Sequence, residues 1–85
     1  MREALSSLDG WELVDGQIVR EFDFGDFKEA VAFVVRLSYE AEAANHHPDL
    51  DIRYNKVRVA LSTHSEGGVT DKDLALAEVV QNLAG

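Results

Sequence analysis

An α+β fold is predicted by three features of the 85-residue sequence. Two pairs of short apolar runs read as hairpins. A long stretch with helical spacing separates the pairs, and a second such stretch closes the chain. Together they specify a single domain over residues 1–85, with one four-stranded antiparallel sheet and helices packed on one face, in the order (α)ββαββα.

The bracketed helix is a short lead-in over residues 3–8. Trp11 to Val14 and Ile18 to Phe24 read as the first two strands. Asp15-Gly16 between them suits a type I′ turn, which needs positive φ at both central positions. Ile18, Phe22 and Phe24 share one face with Arg20, and Val19, Glu21 and Asp23 take the other, as in a half-buried antiparallel strand. Asp26 followed by Glu29 is a variant capping box. Phe27, Ala30, Val31, Val34, Leu37, Ala41 and Ala44 then recur at helical spacing, so a helix is expected from Phe27 to Ala44. Asn45 suits its end, and Pro48 prevents continuation. Ile52 to Tyr54 and Val57 to Ser62 read as the second strand pair. Gly67-Gly68 marks a loop. Thr70 with Asp73 three residues later reads as a cap, opening a helix that carries Leu74, Leu76, Ala77, Val80, Leu83 and Ala84.

Composition narrows the function classes. Hydrophobic residues make up 46% and charged residues 28%, which suits a folded globular chain. No cysteine is present, so disulfides, thiolate nucleophiles and metal thiolates are excluded. A core this small gains from self-association, and the open sheet edges point the same way. The net charge of −8 leaves too few clustered cations for nucleic acid or an anionic membrane. No apolar run approaches the roughly 18 residues of a membrane span. Met1-Arg2-Glu3-Ala4-Leu5 lacks the apolar stretch of a secretion signal, so a cytoplasmic location is expected.

The chemistry-bearing residues are the three histidines, which sit at the ends of regular elements. His46 and His47 follow the long helix, and His64 follows the Val57–Ser62 strand. Imidazole works as acid or base near neutral pH, and a helix C-terminus favours its cationic form. From residue type alone each has a plain alternative. The His pair ends a helix, His64 continues the polar face with Arg58 and Ser62, and Asp73 is better explained as a cap than as a catalyst. Glu42, four residues before His46, reads as a surface pair or as a carboxylate that orients the ring. Zinc is disfavoured, because adjacent His46 and His47 seldom point the same way and HExxH is absent. GxGxxG, P-loop and GxSxG motifs are also absent.

Glu42-x-x-x-His46-His47-Pro48, Tyr54-Asn55-Lys56-Val57, Thr63-His64 and Gly68-Val69-Thr70-x-x-Asp73 together resemble the pterin-4a-carbinolamine dehydratase pattern. Gly10-Trp11 and Phe22-x-Phe24-x-x-Phe27 are similar to that family as well, so the resemblance covers almost the whole chain. It implies a four-stranded sheet with helices on one side, and a homodimer or homotetramer. The implied reaction removes water from 4a-hydroxytetrahydropterin to give quinonoid dihydropterin, in tetrahydropterin recycling. It further implies His46, His47 and His64 as catalytic residues lining the pterin pocket, and Pro48, Thr63, Ser65, Asp73 and Glu42 as substrate-binding residues, Asp73 being a further motif acid near the site. Two imidazoles in different protonation states meet the needs of this reaction without metal or organic cofactor. His46 or His47 would serve as acid and His64 as base.

Two positions depart from the family pattern. Leu50 stands where a Trp is frequent, so an aromatic wall beside the pterin is missing. Ser65 stands where an acid is frequent. Two other readings stay open: a non-catalytic interaction protein of the dimerisation-cofactor kind, and an enzyme acting on another pterin, as in molybdopterin metabolism.

Overall fold

A computed structural model describes residues 10–84, without the side chain of His64. The lead-in helix expected over residues 3–8 lies outside them. The described elements are β1 (Glu12–Val14), β2 (Gln17–Asp23), α1 (Phe27–Ala44), β3 (Asp49–Arg53), β4 (Lys56–Leu61), a 3₁₀ turn (His64–Glu66) and α2 (Asp71–Ala84). The four strands form one antiparallel sheet in the order β1-β2-β4-β3. No helix among the described residues is long and apolar enough to cross a membrane.

The β1–β2 hairpin closes on Asp15 and Gly16, with φ of 49° and 79°. Both lie in the left-handed region that a type I′ turn demands. Gly10 has φ of 87°, and a Cβ there would come within 2.9 Å of Arg20 Nε. The Gly10-Trp11 pair therefore reflects both backbone conformation and close approach.

In the central pair Ile18 faces Leu61, Arg20 faces Val59 and Phe22 faces Val57. These residues share the face on which the helices lie. Ile18, Phe22, Val57, Val59 and Leu61 are buried against Ala30, Phe33 and Leu37 of α1 and against Leu76, Ala77 and Val80 of α2. Arg20 sits at the margin of this layer. Its guanidinium lies 4.5 Å from the centre of the Phe22 ring and donates to Gln81 Oε1, which Trp11 Nε1 also approaches. A charged group is tolerated there because its stem packs while its head finds acceptors.

Helix α1 begins where Asp26 accepts from the Glu29 N–H, while the Glu29 carboxylate accepts from the Gly25 N–H. It ends in a Schellman motif. Asn45 adopts φ of 51°, its N–H donates to the Glu42 carbonyl, and the His46 N–H donates to the Ala41 carbonyl.

Strand β3 departs from the expected Ile52–Tyr54 and runs Asp49–Arg53 instead. Arg53 pairs with Lys56, so Tyr54 and Asn55 form a two-residue turn, with Tyr54 at φ of 52°. Partnership with β4 draws Asp49 and Asp51 into the ladder despite their poor strand propensity. Strand β4 begins and ends one residue earlier than expected. Its alternation therefore does not reach His64, which opens the 3₁₀ turn. Ala60 lies on the outer face yet is buried.

Candidate active site

The site is built where the C-terminus of α1, the end of β4 and the N-terminus of α2 converge. The Schellman turn at Asn45 redirects the chain so that His46 and His47 diverge. His46 turns inward, with Nε2 2.5 Å from Asp73 Oδ1, and its side chain is only 12% exposed. His47 turns back over the helix end, with Nε2 2.5 Å from Glu42 Oε1, and its side chain is 56% exposed. The i,i+4 geometry had paired Glu42 with His46. The observed partner is His47, because the left-handed residue between helix and histidines ends the helical phase before His46.

Asp73 is fully buried, and both oxygens of its carboxylate have hydrogen-bond partners. Oδ2 accepts from Thr63 Oγ1 at 2.7 Å and from the Thr70 N–H at 2.8 Å. Oδ1 meets His46. The capping role expected for Asp73 is thus present, through the Thr70 N–H, but it occupies one oxygen only. A buried carboxylate is tolerated when its lone pairs are met in this way.

Thr63 is held by both backbone and side chain. Its N–H donates to the Gly68 carbonyl at 2.8 Å, an isolated bridge that draws the loop of residues 64–67 against the start of α2. Its hydroxyl lies 2.7 Å from Thr70 Oγ1. The sequence pattern marks Thr70 only as a cap, and nothing in the spacing of the two threonines signals this side-chain link.

Two clefts flank the network. One of about 380 Å³ runs between the helices and is lined by His46, Ala44, Leu76 and Val79, with Glu40 and Lys72 at its polar margin. The other, of about 340 Å³, is lined by Thr63, Ser65, Glu66, Thr70, Asp71 and Lys72. Both volumes fall within the range of small-molecule sites, roughly 300–1,000 Å³. The structure brings together His46, Thr63 and Asp73, and separately Glu42 with His47. Leu50 lies on β3 opposite Val59, 39% exposed.

The sequence profile for pterin 4 alpha carbinolamine dehydratase matches residues 1–83. The chain belongs to the pterin-4a-carbinolamine dehydratase family. A Chloroflexus aurantiacus protein named "Putative pterin-4-alpha-carbinolamine dehydratase" is 49% identical over 83 residues, covering 98% of this chain and 89% of its own. A protein of the same name from Thermosynechococcus vestitus is 50% identical over 80 residues, covering 94% and 84% respectively. Among solved structures, a transcriptional coactivator/pterin dehydratase from Brucella melitensis superposes with a TM-score of 0.96 at 45% identity, over 100% of this chain and 93% of that one. A pterin dehydratase-like RuBisCO assembly factor of the alpha-carboxysome shares the dehydratase fold at 22% identity, with a TM-score of 0.73 over 88% of this chain and 87% of that one.

Proposed function

We propose that this member of the dehydratase family removes water from 4a-hydroxytetrahydropterin, giving quinonoid dihydropterin, as a step in tetrahydropterin recycling. The hydroxyl at C4a leaves as water once protonated. The C4a–O bond breaks, the lone pair of the neighbouring ring nitrogen forms the C=N bond, and that nitrogen gives up its proton to a base. One acid and one base complete the balance. The acid comes from the His46–His47 pair and the base is His64. Pro48, Thr63 and Ser65 bound the substrate, while Glu42 and Asp73 act on it through the histidines they hold.

The observation that carries this reading is the paired anchoring of adjacent histidines. Each ring is tied by Nε2 to its own carboxylate, one pair inside the fold and the other at its surface. Such anchoring orients an imidazole and fixes its tautomer, as general acid–base work requires. The test is stopped-flow measurement of carbinolamine loss. Wild-type protein should accelerate it over buffer, and His46→Ala and His64→Ala should each lower the rate by about 10²-fold or more. No acceleration by the wild type overturns the reading.

We also propose that the chain works as a homodimer joined along β3. All five β3 residues are exposed, including Leu50 and Ile52, which sit on the helix-bearing face beyond the cover of either helix. An antiparallel copy centred on Ile52 would set Asp51 against Arg53 of the second copy and Ile52 against Ile52 of the second copy. Opposite charges would then meet on one face and apolar groups on the other.

A further inference from the structure

We propose that Thr70 is a positioning residue for His46, acting through a directed chain of hydrogen bonds that holds the His46 ring in its Nε2–H tautomer and leaves Nδ1 as the working nitrogen. The proposal deepens the dehydratase reading and rests on it for its kinetic readout alone.

The direction of the chain follows from counting protons. A threonine hydroxyl has one proton to donate. Thr63 gives its proton to Asp73 Oδ2 at 2.7 Å. The contact between Thr63 Oγ1 and Thr70 Oγ1, also 2.7 Å, therefore needs the Thr70 proton. Asp73 Oδ2 additionally receives the Thr70 N–H. A carboxylate surrounded by donors offers only lone pairs, so at Oδ1 it is His46 that donates, through Nε2–H. Nδ1 is then the ring nitrogen left to face a substrate: the resting neutral ring keeps its proton on Nε2, and the ring acts as an acid only after taking a second proton on Nδ1, which it then delivers.

The helix cap does not account for the Thr70 hydroxyl. In a capping box the hydroxyl accepts the N–H three residues on. Here the Asp73 N–H goes to the Thr70 carbonyl at 3.0 Å, and the hydroxyl faces Thr63 instead. Without the Thr70 proton, the Thr63 oxygen loses the donor that fixes its rotamer, and its hydroxyl is held by the Asp73 contact alone. The grip on the Asp73 carboxylate, and on the His46 ring bound to it, is correspondingly looser.

The experiment pairs long-range ¹⁵N–¹H spectra of the histidine side chains with stopped-flow dehydration, in wild type, Thr70→Val and Thr70→Ser. Wild-type His46 should show the proton on Nε2. Thr70→Val should mix the two tautomers and lower kcat about five- to tenfold with KM little changed, and Thr70→Ser should restore both. A wild-type His46 protonated at Nδ1 alone overturns the proposal without any variant, which covers the case in which Thr70→Val fails to fold. A folded Thr70→Val protein with wild-type spectrum and kcat overturns it too. A tautomer shift in Thr70→Val, in a protein that never accelerates dehydration, supports the relay and rejects the dehydratase reading instead.

Discussion

His46 Nε2 and Asp73 Oδ1 lie 2.5 Å apart across 27 positions of sequence. The contact joins the end of α1 to the start of α2 and is itself almost wholly buried. Removing the charge of Asp73 leaves the Thr63 hydroxyl, the Thr70 N–H and the His46 ring competing for a weaker acceptor. Asp73→Asn should lower the dehydration rate by about 10²-fold and stability by about 1–3 kcal/mol. Urea unfolding and stopped-flow rates check the two parts separately. In contrast, Glu42→Gln breaks an exposed pair and should change stability by less than about 1 kcal/mol.

Asn45 holds φ of 51° and sets the direction in which His46 leaves the helix. Asn45→Ala should destabilise by about 1 kcal/mol, because a Cβ without a local hydrogen-bonding side chain is strained in this region. Asn45→Gly should be within a few tenths of a kcal/mol of wild type or better. Thermal melts of the two variants should rank Gly above Ala. The reverse order would show that the left-handed turn is not what ends the helix.

The β3 edge gives a third test. In the proposed dimer Ile52 meets Ile52 of the second copy, so Ile52→Asp places two like charges against each other. The variant should elute as a folded monomer of 9.4 kDa by size exclusion with light scattering, against twice that mass for wild type. Equal masses for the two proteins would reject this edge as the interface.

Lys56 gives a pH test on the outer face of the sheet. Its ammonium donates to Asp23 at 2.7 Å and lies 3.9 Å from Glu21. The hydrogen bond to Asp23, then the charges of Asp23 and Glu21, hold its pKa above the usual 10.5 in the folded chain. The contribution is fully present below 10.5 and is lost as pH rises through the folded value. Lys56→Met should therefore narrow its stability deficit relative to wild type as pH rises above 10.5, read from urea midpoints. The solvent exposure of both partners keeps the effect small.

Much of the architecture was legible locally. Asp15-Gly16, Asp26 with Glu29, the 3.6-residue spacing from Phe27 to Ala44, and Asn45 each act within a few residues. Helix α1 accordingly has the bounds expected of it. Strand β3 was less legible, because Asp49 and Asp51 join a strand only through the partner β4 supplies.

At the site, the sequence by itself determined which groups are present: three imidazoles at element ends, a helix stop before two of them, and an acid placed to cap α2. Only the tertiary structure decided how they pair. Spacing pointed Glu42 at His46, and capping accounted for Asp73. The turn at Asn45 instead gives Glu42 to His47 and sends His46 to the remaining oxygen of Asp73, while Thr63 and Thr70 supply donors from opposite sides of a loop. Periodicity and capping are rules of near neighbours along one backbone. The His46–Asp73 contact exists because two helices pack on one sheet, and no interval in the sequence encodes that meeting.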